Sequence, residues 1–239
     1  MRTEYDSDRI PQRLWGKIQN YCHGAAIGEE MNFPKIIGLK GRIGAGKSIA
    51  AEYFIERGYK LIKFADPIKD MLLELGLTSY ELEGPRKELP CDFLSGATPR
   101  HAMQTLGDWG RSLDPDFWVN LWLPEAIKCH LVVVDDCRFV REAEAIYTLG
   151  GAIIEIRRPA FPGALDTHIS EVQDWRADMR VLNDGFSKDI LFARIEGALE
   201  IWSEGRDHGK RKGSHIPEPV REGSAQDYSY CVRDSHMHE

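Results

Sequence analysis

The strongest constraint on this chain lies in residues 36–48, Ile-Ile-Gly-Leu-Lys-Gly-Arg-Ile-Gly-Ala-Gly-Lys-Ser. A short apolar run enters a glycine-rich turn, and Ala50, Ala51, Tyr53 and Phe54 continue at helical spacing. Gly41, Gly46, Lys47 and Ser48 complete the pattern Gly-x-x-x-x-Gly-Lys-Ser in its strand–loop–helix context. The glycines let the backbone take left-handed angles without a Cβ clash. The N–H groups from Gly41 through Gly44, Ala45 and Gly46 then form an anion-binding concavity, reinforced by the positive end of the helix starting near Lys47. Lys47 supplies a point charge for the β- and γ-phosphates, and the Ser48 hydroxyl a ligand for Mg²⁺. The pattern predicts a nucleotide-phosphate site.

The rest of the chain sets bounds on that site. Its 239 residues suffice for one α/β domain with tails, and 42% hydrophobic with 29% charged residues is a globular composition. A net charge of −7 argues against a nucleic-acid polymer as partner, because neutralising many phosphates calls for a basic face. No apolar run reaches the about 20 residues that span a bilayer, and the N-terminus lacks a signal-peptide pattern. Cys22, Cys91, Cys129, Cys137 and Cys231 are odd in number and scattered, which predicts reduced thiols in a cytoplasmic setting.

Periodicity predicts strands over 35–40 and 60–65, a helix over 47–57 between them, and a helix over 67–75 opened by Pro67. Residues 76–97, broken by glycines and prolines, read as a loop-rich insertion at the mouth of the site. A helix is predicted from Pro99 to Arg111 with Thr98 as its N-cap, and another from near Asp116. The apolar strand Leu131–Val134 ends in Asp135 and Asp136. A helix over 140–149, a strand over 152–156, a last strand over 180–183 and a helix over 188–202 complete a doubly wound, mostly parallel sheet. Residues 1–33 read as an N-terminal extension, 34–204 as the domain and 205–239 as a polar, disordered tail.

Ligands of open α/β sheets bind outside the carboxyl ends of the strands, which is where Asp135 and Asp136 fall; Asp135 suits Mg²⁺ through water. Arg86, Arg100, Arg111, Arg138, Arg157 and Arg158 lie at predicted loop ends, and the guanidinium fork fits phosphate oxygens. Asp66 either binds a sugar hydroxyl or caps the helix opened by Pro67. Trp118 either stacks on a base or packs in the core. His168 is a hydrogen-bond donor or an exposed loop residue, with Glu171 beside it.

These segments together resemble the deoxynucleoside monophosphate kinases of tailed bacteriophages. The likeness is carried by Gly41–Ser48, Pro67-Ile-Lys-Asp70, Arg86-Lys-Glu88, Arg100 to Gln104-Thr-Leu-Gly107 and Phe117-Trp118-Val119. It continues through Asp136-Cys-Arg138, Gly151 with the strand ending at Arg158-Pro159, Asp166-Thr-His-Ile-Ser-Glu171 and Asn183-Asp-Gly185. The spacing Gly-x-x-Gly-x-Gly-Lys is also more usual in small-molecule kinases than in GTPases.

The resemblance implies a three-layer P-loop NTPase sandwich with a lid at about 158–177. It implies transfer of the ATP γ-phosphate to a deoxynucleoside 5′-monophosphate with Mg²⁺, in the host cytoplasm, and leaves a homodimer open. Lys47, Arg100, Arg138 and Arg158 become the catalytic candidates. Asp66, Arg86, Gln104, Trp118, Asp136, His168 and Glu171 join Arg100 and Arg138 as candidates for the substrate. Some members carry Asp where this chain has Ser48, and some lack an acid at Asp66. The alternatives are a kinase resembling dephospho-coenzyme A kinase, with Asp66 as base, and a nucleotide-hydrolysing switch.

Overall fold

The computed structural model describes residues 33–159 and 175–207. Five parallel strands form one sheet: β1 (Ile36–Lys40), β2 (Lys60–Leu61), β3 (Val132–Val134), β4 (Ala152–Arg157) and β5 (Met179–Leu182), in the order β2-β3-β1-β4-β5. Seven α-helices accompany them among the described residues: α1 (Lys47–Ile55), α2 (Asp66–Glu74), α3 (Ser79–Leu82), α4 (Pro99–Leu113), α5 (Phe117–Ile127), α6 (Val140–Thr148) and α7 (Lys188–Asp207). Adjacent β1 and β3 send their onward connections to opposite sides of the sheet, the geometry that opens a ligand crevice at the carboxyl ends.

The strands are apolar on both faces because helices cover both. Ile37, Leu39, Val133, Ile154 and Ile156 share one core with Ala50, Tyr53 and Phe54 of α1 and Leu191, Ile195 and Leu199 of α7. Their neighbours along the strands, Ile36, Val132, Val134 and Ile153, turn to the other core, where α5 supplies Trp122 and Leu123 and α6 supplies Ala143 and Ile146. A third cluster joins Ile68, Leu72, Leu77, Leu82 and Trp118, packing α2, α3 and the loop between them against α4 and α5. No helix among the described residues is long and apolar enough to cross a membrane.

The α/β layers match the expectation from periodicity, with three differences. The second strand is shorter than 60–65, because the amides after it are taken by side chains: Lys63 N–H donates to Asp66 Oδ2 (2.8 Å), and those of Phe64 and Ala65 to Asp136 (3.1 and 2.9 Å). The insertion holds α3 and 3₁₀ turns at Gly84–Glu88 and Asp92–Leu94, with α3 opened by a Thr78–Glu81 capping box. The last helix passes residue 202 and continues through Asp207. Thr98 does cap α4, accepting from His101 N–H at 3.1 Å. The extension before residue 33 and the tail after 207 lie outside the described residues, and Cys91, Cys129 and Cys137 are free thiols.

Leu39 has no exposed surface and sits beneath the glycine loop. Leu39→Ala is expected to cost about 2–5 kcal/mol through lost transfer energy and the cavity left behind, read as a lower urea midpoint at unchanged slope.

Candidate active site

The loop after β1 packs against β4 and is held from the side by Asn183, the residue after β5. Gly46, the residue before α1, has φ +95°, and a Cβ there would lie 2.2 Å from Asn183 Nδ2. That amide, 5% exposed, donates to the Ala45 carbonyl at 2.8 Å. Gly41 has φ +151°, and a Cβ there would strike the Ile156 carbonyl oxygen at 2.4 Å. The Lys47 ammonium rests on the Gly41 and Arg42 carbonyls, at 2.6 and 3.1 Å.

Beside the loop, β3 ends in two carboxylates with different surroundings. Asp135 Oδ2 accepts from Ser48 Oγ at 3.3 Å and from Lys63 Nζ at 3.1 Å. Its Oδ1 is buried with no hydrogen-bond partner. Burial works against the Lys63 ammonium, but the carboxylates around it, Asp135 first and then Asp136 and Glu83, together hold its pKa above the ordinary value. A hydroxyl and a carboxylate with an uncommitted oxygen are hard oxygen donors of the kind Mg²⁺ takes, so Ser48 and Asp135 fit that ion. Asp136 lines the cavity wall; desolvation and then the Asp135 charge push its pKa up to about 6, against the two amides it accepts. Glu142 is buried behind it and accepts from the Arg138 and Phe139 amides at 2.7 and 3.0 Å. Desolvation and the Asp136 charge push Glu142 up to about 7.

These groups open onto a cavity of ≈ 560 Å³ between the loop, the end of β3 and α4. Among the described residues, eight cationic side chains line it against four carboxylates. A chain with net charge −7 thus concentrates positive charge in one cleft, which selects an anionic ligand. Arg100 is held by Glu88 (2.5 Å), and Arg111 by Asp108 (2.6 Å) with its guanidinium 4.3 Å from the centre of the Phe139 ring. Arg158 reaches the Gly44 carbonyl at 3.4 Å and fills the space where Gly185 lacks a Cβ, 2.6 Å from its Nη2. Burial and then the Arg100 charge lower the Lys87 pKa.

Of the residues expected from sequence, Gly44, Gly46, Lys47, Ser48, Arg100, Gln104, Trp118, Asp135, Asp136, Arg138 and Arg158 line this one cavity. Gly41 and Ala45 shape the loop behind it. Trp118 floors the cavity at 3% exposure and donates to the Gly107 carbonyl at 2.8 Å, so core packing claims it. Asp66 is not in the lining: its carboxylate turns back onto Lys63 N–H, and α2 starts from Ala65 with no side-chain cap. Arg86 is exposed with its guanidinium 4.5 Å from the centre of the Tyr80 ring, and its neighbour Lys87 faces the cavity instead. Arg157 pairs with Glu155 at 3.0 Å. His168 and Glu171 lie outside the described residues, as does most of the expected lid.

Sequence reasoning missed Lys63, Lys69, Lys87 and Asn183 as site residues. Lys63 and Lys69 flank Asp66-Pro67, and Asn183 opens the Asn-Asp-Gly segment, but nothing in a linear pattern gives them these roles.

No family model matches the chain. Over 188 residues it is 38% identical to a protein of Acanthamoeba polyphaga mimivirus provisionally named deoxynucleotide monophosphate kinase, covering 71% of this chain and 93% of that protein. It is 28% identical over 176 residues to the uncharacterised ORF76 protein of Ictalurid herpesvirus 1 (strain Auburn), covering 70% of this chain and 68% of the relative. The uncharacterised ORF77 protein of the same virus is 30% identical over 159 residues, covering 62% of this chain and 63% of its own.

Glu142 supplies a test of the buried wall. Its folded pKa of about 7 lies above the ordinary value of 4.5, so the folded state holds the extra proton and loses stability as pH rises between the two. Relative to wild type, Glu142→Gln should therefore gain stability from about pH 4.5 to about pH 7, by on the order of 1–3 kcal/mol, and no more above it, in urea titrations across that range.

Proposed function

The chain belongs to the deoxynucleotide monophosphate kinase-like family of the mimivirus protein, and from that membership and the cavity we propose that it transfers the ATP γ-phosphate to a deoxynucleoside 5′-monophosphate. The observation that carries this reading is a phosphate-cradling loop, with Ser48 and Asp135 beside it, opening into a cation-lined cleft in an otherwise acidic chain. The narrower likeness to the tailed-bacteriophage enzymes rests on the order of segments from Gly41–Ser48 to Asn183–Gly185, and a cytoplasmic setting goes with it.

An oxygen of the acceptor phosphate attacks the γ-phosphorus, the bond to the β,γ-bridging oxygen breaks, and ADP leaves with that electron pair. The acceptor is already an anion, so the step needs position and positive charge rather than a base. Loop amides and Lys47 hold the β- and γ-phosphates. Arg158, against the loop at Gly44, and Arg138, past the end of β3, flank the transferred group, and Arg100 and Gln104 on α4 hold the acceptor. Ser48 and Asp135 would hold Mg²⁺, which when bound neutralises charge developing on the phosphate oxygens. A kinase of the dephospho-coenzyme A type needs a base for a sugar hydroxyl, and its candidate, Asp66, is turned out of the cavity. A switch that only hydrolyses nucleotide leaves the cations of α4 without a role.

A coupled ADP-release assay across the dNMPs, the matching rNMPs and dephospho-coenzyme A tests the reading: at least one dNMP should give turnover, and a signal confined to the coenzyme A precursor would replace it. Lys47→Ala and Arg138→Ala should each lower kcat by about 10²–10³, the cost of losing one transition-state donor, without moving the thermal midpoint by more than a few degrees. Turnover at the wild-type rate in either variant would remove that residue from the mechanism.

A further inference from the structure

Lys63 stands two residues past β2 on a backbone that cannot easily move. Its own amide is bonded to Asp66, and the next two are bonded to Asp136. From that base its ammonium reaches Asp135 Oδ2 at 3.1 Å, the oxygen that also accepts from Ser48. The carboxylate is 5% exposed and the Lys63 side chain 22% exposed, so solvent screens the pair only in part. The same carboxylate is the protein's divalent-cation ligand by the fit described above, and an ammonium and a divalent cation at one carboxylate repel each other. Displaced from Asp135, the ammonium has few anions to turn to. Asp136 is engaged by two amides, Glu142 is buried behind it by two more, and Glu83 is paired with Lys69. A further anion would come to the cavity with a phosphorylated ligand.

We propose that Lys63 is an exchangeable counter-ion: it neutralises Asp135 until a divalent cation takes that carboxylate, and its ammonium then passes to a phosphate oxygen of the acceptor. Only the second half rests on the kinase reading; the competition at Asp135 does not. Lys63 thereby couples loading of the metal to gripping of the acceptor.

Mn²⁺ binding to the nucleotide-free full-length protein, read by water-proton relaxation at neutral pH, tests the first half. Lys63→Met should bind Mn²⁺ about tenfold more tightly than wild type, a modest share of the repulsion between charges a few Å apart, and Lys63→Arg within about twofold of it. Asp135→Asn should abolish the binding in both backgrounds. Equal affinity in wild type and Lys63→Met, or binding that survives Asp135→Asn, overturns the proposal. If circular dichroism shows Lys63→Met unfolded, Lys63→Gln replaces it.

Calorimetry with each dNMP, with and without Mg²⁺, tests the hand-over. Mg²⁺ should tighten dNMP binding to wild type several-fold and leave Lys63→Met unchanged, since coupling between two ligands is reciprocal. The same Mg²⁺ response in both proteins overturns the hand-over. Absence of dNMP binding to wild type counts against the kinase reading and leaves the Mn²⁺ result standing.

Discussion

Asp136 ties the ends of two strands together, and the site depends on that tie. A carboxylate at the end of β3 accepts the two amides that follow Lys63, ending β2 early and turning the chain into α2. Two part-buried N–H groups that would otherwise lack partners are satisfied, and the carboxylate is held by them in turn. Lys63 is thereby aimed at Asp135, and Phe64 is brought under Trp122, with ring centroids 4.5 Å apart. The Trp122 indole then donates to the Ile62 carbonyl at 3.2 Å, closing the same corner from the core side.

Charge is the second organising theme. Among the described residues, ammonium and guanidinium groups outnumber carboxylates in the cleft of a chain whose net charge is −7. The carboxylates that remain are each engaged: Glu83 by Lys69, Asp135 by Ser48 and Lys63, Asp136 and Glu142 by backbone amides. Raised proton affinity at Asp136 and Glu142 lowers their negative charge further near neutral pH, which deepens the positive potential felt by a phosphate.

What could be read from sequence follows the range of the interactions involved. The loop at Gly41–Ser48, the strand–helix alternation and the Thr98 cap are set within a few residues, and all are found where the pattern puts them. The length of β2 was not legible, because Ile62 and Phe64 look like strand residues and the competing acceptor, Asp136, is some seventy positions away. The pattern offers Arg86 and not Lys87 for a related reason: both are cations in one 3₁₀ turn, and only the turn's packing against α4 decides which one faces inward. Asp66 follows a predicted strand, which suits a ligand to a sugar, and precedes Pro67, which suits a cap; the carboxylate instead bonds backward to Lys63.

The contact between Gly46 and Asn183 joins the first and last turns of the site. One residue has room only because it lacks a side chain, and the other fills that room with the amide that secures the loop. Two positions at opposite ends of the domain are therefore coupled, because what one can hold depends on the other. A side chain at the first would meet both that amide and a left-handed backbone that only glycine adopts readily, so a smaller residue at the second would relieve the crowding but not the strain, and would give up the clasp on the loop.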